Sequence, residues 1–282
     1  MQTDKNEFDQ SVGFAVNDWS ARPFPPCTLM QGRYCQLEAL DTEAHAASLY
    51  ETLCSNPSAD WTYLPYGPFQ QLAEFKAWLE QQCRQDDPLF YAICDAESGK
   101  ACGLASYLRI DVTAGVIEVG HIHYSKSMQK TPMATEAMFL MMQRVFDELG
   151  YRRYEWKCDA LNARSRSAAL RLGFTFEGIF RQASIYKNRN RDTAWYSIID
   201  SEWARLKMAY EAWLSPENFD HSGSQIKSLG ESSAEQLSVY FSFKRGINIT
   251  RLQGRVRLSS CSEISFCHAV LQAPGEPGIT NI

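Results

Sequence analysis

Apolar and polar positions alternate along this chain in two distinct periods. The segment from Tyr34 to Leu40 reads as a strand, and Asp41 then caps a helix whose Ala46, Leu49, Tyr50 and Leu53 share one face. Trp61 to Pro68 is aromatic and broken by proline, which makes it a loop. A second helix carries Leu72, Phe75, Leu79 and Cys83 on one stripe. LFYAICD (89–95) and ACGLASYLRI (101–110) flank a Ser98-Gly99 turn and read as a hairpin. VIEVGHIHY (116–124) is a third strand, β-branched and alternating with period two. The helical period then returns. Thr131 is placed to cap a helix with Pro132 at its first position, where a missing N–H costs least. Ala134, Ala137, Met138, Met141, Val145 and Leu149 mark its buried side, and Gly150 stops it.

RYEWKCD (153–159) is the next strand, and Asn162 caps a short helix ending at Gly173. FTFEGIF and TAWYSIID are two further strands around a polar turn from Lys187 to Asp192. A last helix spans about Ser201 to Leu214, give or take roughly two to four residues. This order predicts a mixed α+β domain. Three parts follow. Residues 1–28, with the Arg22-Pro23-Phe24-Pro25-Pro26 run, form an N-terminal arm; 29–214 form the domain; 215–282 form a linker and tail. After Ser215 the composition shifts to Ser, Gly, Asn and Gln, and 215–238 reads as linker or disorder. Residues 239–282 contain short apolar runs and too little length for a core.

Composition narrows the function classes. The net charge of −5 gives no support for a broad nucleic-acid surface. No apolar run is long enough to span a membrane, and the charged start MQTDKNEFDQ lacks the core of a signal peptide. The nine cysteines are scattered with no C-x-x-C, so no metal and no disulfide framework is expected, and a reducing, cytoplasmic setting fits best.

The stretch MQKTPMATEA (128–137) carries the chemistry. A strand that ends in a polar loop and enters a helix leaves N–H groups pointing outward, and the helix dipole favours an anion there. Gln129, Lys130 and Thr131 add side-chain donors. Read alone, Thr131-Pro132 is equally a good helix start. Its neighbours extend the pattern. Q-K-T-P-M-A resembles the Q-x-x-G-x-A acetyl-CoA pyrophosphate loop of the GNAT N-acetyltransferases, with Pro132 in the glycine place. IEVGHIHY resembles the E-I-G-Y strand before that loop. Asn162 to Gly178 is similar to the N-x-x-S…G-F-x-x-E-G segment of the ribosomal-protein N-terminal branch, and Asn190-Arg191-Asp192 with TAWYSIID continues the likeness. The resemblance covers roughly residues 30 to 205.

It implies the GNAT fold, a mixed, mostly antiparallel sheet with flanking helices. It also implies acetyl transfer from acetyl-CoA to a primary amine, either a protein N-terminus or a small amine, by direct attack. No Cys or Ser sits in a nucleophile-plus-base motif, which disfavours a covalent enzyme intermediate. The family's pyrophosphate contacts map onto Gln129, Lys130, Thr131, Pro132, Met133, Ala134 and Thr135. Asn162 is expected to hold the pantetheine arm and Ser165 to donate a hydrogen bond to the sulfur. The family's frequent tyrosine acid is Ala169 here. This loss and Pro132 keep open a non-catalytic acetyl-CoA-binding module. For the base, Glu118 matches the family's glutamate, while His121 and His123 titrate near neutrality and are rivals. In a regular strand 118 and 121 face opposite ways and 121 and 123 share a face, unless a bulge intervenes. Trp61, Tyr63 and Tyr66 read as a substrate lid or as cover for the core's edge. The expected assembly is a monomer or homodimer.

Overall fold

The structure is a computed structural model and describes residues 3–221 and 223–231. Eight strands form the central sheet: β3 (Met30–Gln31), β4 (Cys35–Ala39), β5 (Leu89–Asp95), β6 (Ala101–Asp111), β7 (Val116–Tyr124), β8 (Arg153–Asp159), β9 (Thr175–Tyr186) and β10 (Arg189–Ile199). Their order is β3-β4-β5-β6-β7-β8-β10-β9. Every neighbouring pair is antiparallel except β7 and β8. That one parallel pair needs a crossover, and α3 (Pro132–Gln143) supplies it. A π-helical turn, Arg144–Glu148, extends α3 so that Val145 and Leu149 stay in the core, and Gly150 ends it at φ 68°.

One face of the sheet packs against α3 and α5 (Asp200–Leu214), with Tyr107, Met138, Met141, Tyr154 and Tyr210 wholly buried between them. The other packs against α1 (Thr42–Leu53) and α2 (Leu72–Cys83), around Leu49, Phe75, Leu79 and Leu104. Asp41 caps α1 by accepting from the Ala44 N–H at 2.8 Å. In α2 only the middle of the expected stripe is buried. Phe75 and Leu79 reach the sheet, while Leu72 and Cys83 lie at the helix ends and stay exposed.

The two β-strands around the polar turn are longer than their apolar cores suggest. β9 and β10 pair out to Tyr186 and Arg189, leaving a two-residue turn, Lys187-Asn188, with φ of 47° and 59°. Exposed polar residues there extend the ladder because the backbone pairs regardless of what the side chains bury.

The N-terminal arm carries its own hairpin, β1 (Thr3–Lys5) with β2 (Ser11–Gly13), and then follows the domain. Its carbonyls hold it there. Buried Arg144 donates to Thr28 O at 2.7 Å and Leu29 O at 3.0 Å, and Tyr91 Oη to Pro26 O at 2.9 Å. The start of the expected linker is also packed. Asn218 Nδ2 donates to Trp213 O and Lys227 O, Phe219 meets Trp213 edge-on, and Leu229 is 3% exposed. Residues 216–231 therefore close onto the domain, because two apolar anchors and one buried amide outweigh a polar composition. The rest of the expected linker and tail, 232–282, lies outside the described residues.

Candidate active site

β7 and β8 pair only from Val116–Arg153 to Val119–Trp156. Beyond that point the register stops and the strands part. The opening lies between the last residues of β7 and Lys157 to Asp159, below the start of α3. Peptide N–H and C=O groups that a sheet would pair are left facing a cleft.

The loop above it is built by its own side chains. Gln129 Nε2 donates to Tyr124 O at 3.0 Å, so it shapes the turn from within. Lys130 is exposed with φ 62°. Thr131 occupies the N-cap position but does not cap, because its hydroxyl donates to Met128 O at 2.7 Å. The first-turn N–H groups of Met133 and Ala134 have no intrahelical acceptor and no side-chain cap, so the helix start remains a pair of free donors. The side chains of this turn point elsewhere. Met133 lies against Cys102 Sγ, and buried Thr135 accepts from Arg171 Nη1 at 3.1 Å. An anion at this turn would be met by backbone, with Ala134 the small residue beside it.

At the start of α4 (Ala163–Arg171), Asn162 Oδ1 accepts from the Ser165 N–H at 3.1 Å, as the cap reading expects. Ser165 Oγ accepts from Trp156 Nε1 at 3.0 Å. The indole fixes the oxygen, and the hydroxyl also hydrogen-bonds the Cys158 sulfur. Ala169 is fully buried beneath them and offers no acid.

A bulge in β7 decides where the three candidate bases face. β6 pairs Leu108 with Glu118, Ser106 with Gly120 and Leu104 with His123, so one extra residue enters β7 after Gly120. His121 takes φ 52° there. Glu118, Gly120 and His123 thus share the α1–α2 face of the sheet. His121 joins them, stacked on Tyr66 at 5.6 Å and 5.0 Å from Phe90. The alternation rule of a regular strand would have separated 118 from 121.

Glu118 is 3% exposed, and its Oε2 accepts from both Arg109 Nη1 (2.7 Å) and Lys157 Nζ (2.8 Å). Lys157 also pairs with Glu155 at 2.7 Å, and Arg153 joins Glu155 to Glu177, so the charges form a ladder across the sheet. Burial raises the Glu118 carboxyl above its ordinary value, with Lys157 and Arg109 opposing. The two histidines move the other way. Burial lowers His121 to about 4, helped by Arg109 and Arg191. It lowers His123 to about 4, with Asp60 opposing. His123 is 5% exposed, lies 4.3 Å from the Trp61 ring, and has no partner at either ring nitrogen. The rings pack on different aromatic residues, so they do not form a ligand pair for a metal.

The aromatic loop divides. Trp61 is 1% exposed and is core to the lid, because its ring fills the space between Phe69, Tyr66 and His123. It does not offer a face to substrate. Tyr66 Oη lies 3.3 Å from His121 Nδ1, and Tyr63 Oη donates to Leu161 O at 3.1 Å across the end of the opening. Arg109, Lys157 and the cations of the β9–β10 turn were not among the expected site residues. The alternation of Arg153, Glu155, Lys157 and Asp159 in β8 was a readable sign that one face of that strand is charged.

The family model for the acetyltransferase (GNAT) domain matches residues 36–175. No curated protein matches the chain. A GCN5-related N-acetyltransferase from Brucella melitensis is 48% identical, with TM-score 0.76, covering 78% of this chain and 100% of that one. A GNAT-family protein from Chromobacterium violaceum ATCC 12472 is 40% identical, with TM-score 0.64, over 67% of this chain and 95% of that one. The microcin C7 self-immunity acetyltransferase MccE, solved with acetyl-CoA and AMP, shares the fold at 22% identity and TM-score 0.53, over 60% of this chain and 93% of that one. This chain belongs to the GNAT acetyltransferases.

Proposed function

We propose that the protein transfers the acetyl group of acetyl-CoA directly to a primary amine across the β7–β8 opening. One observation carries the reading. The parallel pairing ends at Val119–Trp156; Glu118 lies one residue before that last pair, Ser165 Oγ is bonded to Trp156 Nε1 beside it, and α3 starts uncapped in the crossover between the two strands. The backbone donors of Met133 and Ala134 fit a pyrophosphate. Asn162, spent on its cap, adds its amide to the pantetheine arm.

In the reaction the amine nitrogen bonds to the thioester carbon and the C–S bond breaks. The ammonium must lose a proton first, and the thiolate needs a donor as it leaves. Glu118, with its raised pKa, is the proton acceptor, directly or through water. Gly120 makes room for Leu108, whose side chain a Cβ there would meet at 2.9 Å. Ser165 hydrogen-bonds the sulfur. Freed peptide N–H groups at the parting of β7 and β8 face the developing oxyanion. The likeness of Asn162–Gly178 to the ribosomal-protein N-terminal branch supports an α-amine acceptor.

The test is thiol release from acetyl-CoA with a panel of amines and peptides, beside Ala134→Glu. A carboxylate at 134 would meet the phosphates, and CoA affinity should fall about tenfold or more. Unchanged CoA affinity in the folded variant, by calorimetry, removes the pyrophosphate site. Absence of thiol release with every amine removes the transferase reading.

A further inference from the structure

Three acids stand on the acceptor side of the opening, and none is free. Asp159, at the end of β8, accepts from the Leu161 N–H at 2.8 Å and from Tyr186 Oη at 2.9 Å. Glu118 is held by Arg109 at 2.7 Å and Lys157 at 2.8 Å. Asp60 is held by Lys126 at 3.1 Å and Arg164 at 3.4 Å. The β9–β10 turn adds two cations. Lys187 Nζ donates to Trp61 O at 2.8 Å. Arg191 Nε donates to Thr193 Oγ1 at 3.2 Å, and its guanidinium lies 5.9 Å from the Tyr186 ring. Among the described residues neither has an ion-pair partner. The chain as a whole is acidic, so this local excess of positive charge is a property of the site.

Arg191 is placed to use that charge. β10 meets β8 at Thr193 opposite Asp159, which puts Arg191 two residues past the end of β8, at the open end of the gap. Its two terminal NH2 groups remain available, and the guanidinium fork matches a carboxylate in two parallel hydrogen bonds. After burial, Arg109 and Arg191 are the influences that lower His121, so both guanidinium groups bear on that ring. The lid sets the size. Tyr63 is tied to Leu161, Lys187 to Trp61 and Arg164 to Asp60, so loop 57–68 is fastened to both the β8–α4 connection and the β9–β10 turn. A polypeptide entering there breaks these contacts, and a small molecule does not.

Resting on the transferase reading above, we propose that the acceptor is a small amine bearing its own carboxylate, of the amino-acid class, with Arg191 as the carboxylate-binding side chain. A polyamine would bring like charge to these cations and find Glu118 and Asp60 already paired with cations.

The experiment is thiol-release kinetics on the full chain with each protein amino acid beside its carboxamide, and with spermidine. At least one amino acid should exceed its carboxamide in kcat/KM by roughly 10- to 100-fold, the value of a hydrogen bond to a charged group. Arg191→Gln should bring that ratio close to one, mainly through the KM of the acid. Arg191→Lys, which keeps charge without the fork, should recover part of it. The Kd for CoA should not change in either variant; a weakened Kd would assign Arg191 to the CoA phosphates and overturn the proposal. Equal use of acids and amides, preference for spermidine, or a ratio that survives Arg191→Gln also overturns it while the transferase reading stands. No thiol release from any amine, with acetyl-CoA still bound, overturns both.

Discussion

Two buried glutamates lie on opposite faces of the sheet and are held in opposite ways. On the α3 face, Glu136 accepts three backbone N–H bonds, from Arg33 (2.9 Å), Tyr34 (2.6 Å) and Cys35 (2.9 Å). Gly32 is part of the same arrangement, because a Cβ there would sit 2.5 Å from the carboxylate. On the α1–α2 face, Glu118 takes two side-chain cations on one oxygen, and one of them, Arg109, is 61% exposed. Peptide N–H groups cannot leave, so Glu136 is a fixed charge that ties the entry of β4 to α3. The exposed Arg109 side chain can turn away from Glu118, while Lys157 is itself shared with Glu155 at 2.7 Å. Burial is the same, 5% and 3% exposed. The difference between them is whether the set of partners is closed, and it is this difference that the proposed role of Glu118 as proton acceptor uses.

The largest effect expected from this comparison is on stability. Glu136→Gln removes the charge and turns an amide NH2 toward peptide donors, leaving at least one buried N–H unpaired. The loss should be about 3–5 kcal/mol, as for other broken buried charge networks. Urea unfolding measures it, and a change under about 1 kcal/mol would show that the three contacts are not the tie described.

Glu118→Gln should reverse the balance of effects. Removing a positioned base costs about 10² to 10⁴ in rate, while Lys157 keeps Glu155 at 2.7 Å and Arg109 can turn to solvent. Stability should therefore fall by less than in Glu136→Gln. The kcat/KM deficit should shrink at high pH, where free amine forms unaided. His121→Ala and His123→Ala belong in the same pH–rate series. If the acidic limb survives in Glu118→Gln and vanishes in a histidine variant, that histidine is the base.

The same comparison explains what could be read from the sequence. The order of elements, the α4 cap at Asn162 and the polar entry to α3 were legible because each depends on residues close in the chain. The partners of Glu118 and Glu136 were not. Arg33 to Cys35 lie about a hundred positions from Glu136, and no local period marks a carboxylate that bonds backbone. The bulge at His121 was equally hidden, since one inserted residue leaves the alternation of VIEVGHIHY nearly intact while turning 121 to the face of 118. Trp61 looked like surface because it sits in a proline-broken loop, yet its ring is the largest apolar group available to close that loop's own core.

The smallest effect expected is a pH dependence confined to the α1–α2 face. His121 and His123 fall from 6.5 to about 4 when folded, chiefly by burial. Between those values the unfolded chain binds more protons than the folded one. Their contribution to stability is therefore complete above pH 6.5 and is lost as pH falls through 4. Glu118 has the opposite sign. Its folded pKa is raised, so its contribution is present below its unfolded value and is lost as pH rises through the folded one. On acidification the two kinds of group therefore work against each other. His123→Phe should flatten the fall in unfolding free energy between pH 7 and pH 4.5, from urea titrations, by about 1–3 kcal/mol, while keeping an aromatic ring against Trp61. Glu118→Gln should steepen that fall slightly, because the carboxyl that takes up a proton in the folded state is gone. Midpoints that fall equally in wild type and His123→Phe would mean that His123 is not held neutral by its burial, and that its unpartnered nitrogens reach water.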